Sequence, residues 1–170
     1  RTIAEPSVRM FCRWLKGQNF KAIRRRGKYL VFEVADGHTM LLHLRMSGRL
    51  HLVSASVPRD KHEHVIFSFA DGRQLRFHDT RKFGRLHLLK DPAKILDRLG
   101  PEPLAAGFTA KMLTKGLTYR KRLLKPLLLD QHALAGLGNI YVDESLFRAG
   151  LHPRRRVDTL SVDDPPRLYR

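Results

Sequence analysis

The sequence predicts an α+β protein in which an antiparallel β-sandwich is followed by a helical domain. Three observations carry this. Two stretches alternate apolar and polar residues with a period of two around Asp-Gly turns, the apolar period becomes helical after residue 100, and Gly100-Pro101-Glu102-Pro103 separates the two regimes. The boundary is placed there, giving a β domain over residues 1–100 and a helical domain over residues 101–170.

Taken in order, residues 1–8 offer a short strand, and residues 11–17 a short amphipathic helix with Phe11, Trp14 and Leu15 on one side and Gly17 at its end. Residues 20–23 lead into the basic run Arg24-Arg25-Arg26-Gly27-Lys28. Residues 29–34, Asp36-Gly37 and residues 39–44 read as a β-hairpin, because Asp-Gly suits the type I′ turn between twisted strands. Residues 65–69, Asp71-Gly72 and residues 74–78 repeat the arrangement, with Phe67 matching Phe32 and His78 matching His43. Two copies are hairpin chemistry used twice, not a solenoid. Residues 85–89 add a strand.

Beyond the strands, residues 91–99, 109–116, 121–135 and 139–149 are expected helices, and Ser161 to Asp164 resembles the capped start of another. Leu127, Leu128, Leu129 and Leu134 line one arm of a helical hairpin, and Ile140, Val142, Leu146 and Phe147 the other, around Gly136-Leu137-Gly138. Asn139 stands at the N-cap position of the second arm and Gly150 at its end. A helix starting there would turn free N–H groups and a positive dipole end outward, a seat for phosphate, although an ordinary helical hairpin has the same spacing.

Charge favours the phosphate. Among 170 residues, 33 Lys+Arg face 16 Asp+Glu, a formal charge of +17. Such a balance points to a polyanionic partner. No run approaches the roughly 18 apolar residues of a spanning helix and no signal pattern opens the chain, so the expectation is a cytoplasmic monomer without a membrane partner. The single cysteine, Cys12, excludes an internal disulfide and any zinc site needing several thiolates from this chain. No metal ligands are assigned. With 42% hydrophobic residues the chain can bury a real core.

Three clusters carry chemistry besides the hairpin. Lys28 closes the basic run at the start of a strand, where it can meet a phosphate or simply be solvated. In His43-Leu44-Arg45-Met46-Ser47-Gly48-Arg49 a strand breaks into a loop, and Met46 is either core filler or an exposed wedge. In His78-Asp79-Thr80-Arg81-Lys82-Phe83-Gly84-Arg85 an aromatic lies among charges, with Phe83 either packed inward or carried outward. Apolar side chains held among cations suit prying a base step open while gripping phosphates.

Read together, His43 to Gly48, Asp79 to Gly84, Leu99-Gly100-Pro101-Glu102-Pro103-Leu104 and Gly136 to Phe147 closely resemble the bacterial formamidopyrimidine-DNA glycosylase family over almost the whole chain. The resemblance implies a base-excision repair enzyme with a helix–two-turn–helix domain, a DNA glycosylase and AP lyase acting on duplex DNA. It would flip out oxidised purines such as 8-oxoguanine and formamidopyrimidines, cut the glycosidic bond and cleave the strand by elimination. By the same resemblance Lys28 contacts the phosphate beside the lesion and assists catalysis. Met46, Arg81 and Phe83 fill the gap left by the flipped base, Asn139 binds phosphate and His43 lies near the DNA backbone. Filling that gap offsets an unstacking cost of about a few kcal/mol, and Arg81 can hydrogen-bond the orphaned partner base.

The chain also departs from the family. The family's nucleophile is an N-terminal proline amine followed by glutamate, whereas this chain opens Arg1-Thr2-Ile3, and Pro6 is an internal imide without a free amine. The C-terminal zinc finger, which would hold the family's zinc, is not in the sequence, and a longer connection is expected between Met10 and Phe11. The chain is therefore expected to be part of a longer protein. Ser47 stands where some members carry glutamate. Alternatives are the endonuclease VIII type, acting on oxidised pyrimidines, and a non-catalytic nucleic-acid-binding protein. A metal hydrolase built on His62, His64, His78 and Asp79 is a further one.

Overall fold

A computed structural model describes residues 2–118 and 121–170; of the strand expected at 1–8, Arg1 lies outside them. The chain divides into two compact units, Arg1–Pro92 and Ala93–Arg170, so the short helix ahead of the Gly-Pro break belongs with the helical unit.

In the first unit β1 (Ile3–Glu5) and α1 (Val8–Leu15) precede β2 (Phe20–Arg26), β3 (Tyr29–Val34), β4 (Thr39–His43) and β5 (Arg49–Ser54). β6 (Glu63–Ser68), β7 (Arg73–His78) and β8 (Arg85–Leu89) complete it. One sheet has the order β1-β8-β4-β3-β2 and the other β5-β7-β6. Both expected hairpins form, Phe32 pairing with Met40 and Phe67 with Leu75, but not on type I′ turns: Gly37 and Gly72 take positive φ while Asp36 and Asp71 do not, and each loop closes over three residues, Val34 to His38 and Phe69 to Arg73. Phe32, Met40, Leu42 and Leu86 of the first sheet share one core with Phe77 of the second, and Val65, Phe67 and Leu75 pack against it. Inward faces meeting in this way make a sandwich.

Three details differ from expectation. α1 starts at Val8, because Ser7 Oγ caps the Met10 N–H at 3.4 Å. β2 runs through the arginines to Arg26, paired along its length with β3. β5 was not expected at all: Arg49-Leu50-His51-Leu52 does alternate, but it is an edge strand with no fully buried side chain, although Leu50 packs against the core.

The second unit contains α2 (Ala93–Leu96), α3 (Ala110–Leu117), α4 (Leu124–Leu129), α5 (Asn139–Arg148) and α6 (Asp164–Tyr169). Leu113, Leu117, Leu124, Leu127, Leu128, Val142 and Leu146 share its core. The helix expected over 121–135 stops at Leu129. Asp130 Oδ1 accepts the His132 N–H at 3.0 Å. The Gln131 amide then donates to the carbonyls of Leu129 and Leu137 and accepts the Gly136 N–H, each at 2.9 Å. Side chains thus supply the hydrogen bonds that a continued helix would have made, while Leu134 and Ala135 are still buried. Asn139 is the first helical residue and not the N-cap, which is Gly138 in extended backbone (φ −119°, ψ 178°). α6 begins at Asp164, whose Oδ2 accepts the Ser161 N–H at 2.7 Å. No helix among the described residues is long and apolar enough to cross a membrane.

Candidate nucleic-acid interface

Strand register places the first set of candidate residues. Arg26 pairs with Tyr29, Tyr29 with His43 and His43 with Arg85, so a row across β2, β3, β4 and β8 carries cations at one end of the five-stranded sheet. Lys28 sits in the turn just ahead of Tyr29. Partial burial, and next the charge of Arg45, hold its ammonium below the usual lysine pKa. A cation so placed gains when an anion arrives.

Burial, then Arg45 and Lys28, push His43 down to about 4, so it is neutral at pH 7. Its Nδ1 accepts the Arg45 N–H at 3.0 Å, and the Tyr29 ring meets it edge-on with centroids 5.0 Å apart. The proton therefore resides on Nε2, which can donate to a phosphate oxygen without carrying charge.

Two loops cross between the sheets at this same end, residues 44–48 from β4 to β5 and residues 79–84 from β7 to β8. Met46 is 75% exposed and Phe83 47% exposed. Neither is core filler. Arg81 reaches between them, its Nη1 3.3 Å from Met46 Sδ and its guanidinium carbon 4.8 Å from the centre of the Phe83 ring. Arg45 (φ 58°) and Lys82 (φ 57°), immediately before Met46 and Phe83, are in the left-handed region that non-glycine residues seldom occupy. The three residues expected to act as a wedge thus form one exposed apex.

Sequence reasoning missed what holds that apex. Asp79, expected at most as a metal ligand, is 0% exposed. Its Oδ1 accepts from Ser47 Oγ at 2.5 Å and from the Arg81 N–H at 3.2 Å, and its Oδ2 from the Gly84 N–H at 2.8 Å. Burial alone would raise its carboxyl, but donation from Ser47 and from the backbone of Gly84, Arg81 and Phe83 holds it below the usual carboxylate range. Beneath lies the buried Phe77 ring. An added Cβ at Gly48 would come within 2.9 Å of it, and one at Gly84 would strike it outright. Only glycine lets both loops close on one aromatic. The motif glycines were the available signal.

The histidines do not form a metal centre. His64 Nε2 meets the Asp79 carbonyl at 2.8 Å and His78 Nε2 meets Asp60 at 3.2 Å. Among the described residues no group of three or more His, Cys, Asp or Glu side chains could hold a metal ion.

In the second unit Asn139 is exposed at the first position of α5, a helix whose N-terminus has no side-chain cap. The leading N–H groups have no intrahelical acceptor, so the end attracts anions, and the Asn139 amide adds a donor beside them.

Residues 1–86 match the family model of the formamidopyrimidine-DNA glycosylase N-terminal domain, and residues 99–170 that of the formamidopyrimidine-DNA glycosylase H2TH domain. The formamidopyrimidine-DNA glycosylase of Protochlamydia amoebophila (strain UWE25) is 46% identical over 99% of this chain and 61% of its own length. That of Bacillus subtilis (strain 168) is 49% identical over 93% of this chain and 58% of its own. The chain thus spans about three fifths of the length of these curated relatives. The Lactococcus lactis Fpg (MutM) in complex with a FAPY-dG containing DNA superposes with a TM-score of 0.87 at 38% identity, over 95% of this chain and 62% of that one. An inhibited LlFpg with a N7-benzyl-Fapy-dG containing DNA gives a TM-score of 0.91 at 36% identity, over 99% of this chain and 64% of that one. With the apex, the cationic row and the uncapped helix already in place, these matches assign the chain to the formamidopyrimidine-DNA glycosylase family.

Proposed function

We propose that this chain is the DNA-engaging scaffold of a bacterial cytoplasmic base-excision glycosylase and AP lyase that removes oxidised purines, 8-oxoguanine and formamidopyrimidines, from duplex DNA. The observation that supports it most is the convergence of Met46, Arg81 and Phe83 on one apex at the cationic edge of the sheet. Extruding a nucleotide costs stacking, and an apolar pair carried by a guanidinium compensates for it while Arg81 offers donors to the orphaned base. Lys28 and the neutral His43 hold phosphates on this unit, and Asn139 with the N-terminus of α5 holds another. In this reading Lys28 also assists catalysis by fixing the phosphate beside the reacting sugar.

In this reading the nucleophile is an N-terminal amine that forms a Schiff base with C1′. The fold supports the position it would need. β1 runs parallel to β8, with Ile3 opposite Leu86 and the Leu86 N–H on the Thr2 carbonyl at 2.9 Å, so its leading end lies at the cationic edge. Zinc belongs to the reading only through a C-terminal finger.

The test uses the full-length protein on duplexes carrying 8-oxoguanine or thymine glycol, with borohydride trapping of the Schiff base. Excision and trapping on 8-oxoguanine support the proposal. Activity confined to thymine glycol assigns an endonuclease VIII type of specificity, and tight duplex binding without excision assigns a binding protein.

A further inference from the structure

The wedge loops are joined at two levels, Arg81 to Met46 at the tip and Ser47 to Asp79 at the base. They come from different hairpins, and Ser47 and Asp79 are 32 positions apart in the chain. A carboxylate so close to Arg81 would ordinarily take the guanidinium as its partner. Here it does not. Asp79 accepts instead from one hydroxyl and from backbone N–H groups, and its complete burial keeps it from DNA. The guanidinium is left at the tip, between sulfur and ring.

We propose that Ser47 and Asp79 form a latch, with Asp79 the positioning residue that sets the wedge geometry by holding both loops at once. The latch rests on the functional reading above and deepens it: the residues that would touch DNA are Met46, Arg81 and Phe83, and the residue that decides where they stand is one that DNA never reaches. A wedge must be set before the base pair opens, because loops ordered only during insertion would add their ordering entropy to the cost of unstacking. Gly48 and Gly84, seated on either side of Phe77, give the latch a rigid floor.

The test compares Ser47→Ala, Ser47→Thr and Asp79→Asn with the unsubstituted full-length protein. Four quantities are measured: unstacking of a 2-aminopurine placed beside an 8-oxoguanine, single-turnover excision, affinity for undamaged duplex, and melting temperature. Loss of a hydrogen bond to a buried charge should slow unstacking and excision about tenfold in Ser47→Ala. Affinity for undamaged duplex should stay within about twofold, since phosphate contacts carry it. Ser47→Thr keeps the hydroxyl and should recover most of the rate. Asp79→Asn turns an amide N–H toward an existing donor and should slow both steps further. If that variant fails to fold, the Ser47 pair still decides. An unchanged unstacking rate in Ser47→Ala, or a parallel fall in undamaged-duplex affinity and in every other quantity, would overturn the latch while leaving the functional reading intact. An unsubstituted protein that neither unstacks nor excises would defeat both.

Discussion

Asp79 in the β unit and Asp164 in the helical unit are both buried, at 0% and 1% exposure, and they are satisfied in opposite ways. Asp79 is ringed by a hydroxyl and backbone N–H groups. Asp164 pairs with Arg155 at 3.1 Å and with Arg167, and accepts the Ser161 N–H besides. Burial would raise its carboxyl, and these partners hold it low. In a chain of net charge +17, an acid that takes arginines as partners withdraws cations from the surface. The helical unit does this to fasten α6. In the β unit the carboxylate of Asp79 takes no cation as its partner, and Arg81 stays available at the apex.

The largest expected effect is at Asp79. Asp79→Ala leaves the Ser47 hydroxyl and the Gly84 N–H buried without acceptors, and should cost about 3 kcal/mol or more in urea unfolding. Asp164→Ala should cost less, about 2 kcal/mol, because the arginine heads it strands are partly exposed and can turn to water. A larger loss at Asp164 than at Asp79 would erase the distinction. Salt sharpens it. In about 1 M salt the Debye length falls to about 3 Å, so the cost of Asp164→Ala should shrink by a few tenths of a kcal/mol while that of Asp79→Ala holds.

Acid should weaken both aspartates in the same direction. Each folded pKa lies below the ordinary value, so each contribution is complete above about pH 4 and is lost as pH falls through the lowered value. The smallest expected effect is at His43. Its folded pKa of about 4 lies below an unfolded value of about 6.5, so the folded state resists protonation. Its contribution is complete above about pH 6.5 and is lost as pH falls toward about 4. His43→Gln should flatten the stability profile in that window, and imidazole NMR should find the wild-type ring titrating near its lower end. An unchanged slope in the variant would count against the neutral, donating imidazole.

How much of this was legible depended on how local each feature is. Asp36-Gly37 and Asp71-Gly72 announced both hairpins because a tight turn is a property of adjacent residues. The end of α4 was not legible: Leu134 kept the helical period, and the amide of Gln131, one position past the residue that caps α4, overrode it. Asn139 looked like a cap by residue type, yet extended backbone at Gly138 moved it into the helix. Met46 and Phe83 were ambiguous between core and surface because a loop has no periodicity to assign a face. The row Arg26, Tyr29, His43 and Arg85 follows from register across four strands, and the role of Asp79 from two loops meeting in space. No single window of sequence contains either.

The parallel seating of β1 on β8 also bears on how the protein should be handled. Because the leading end of β1 lies beside β8 near Arg85, in the row that continues through His43 and Tyr29 to Arg26, polypeptide fused ahead of Ile3 is delivered to the edge where phosphates are expected to bind. An acidic affinity tag there would act as a tethered competitor, masking affinity for oligonucleotides at low ionic strength. Its removal should restore binding without any change to the binding residues themselves.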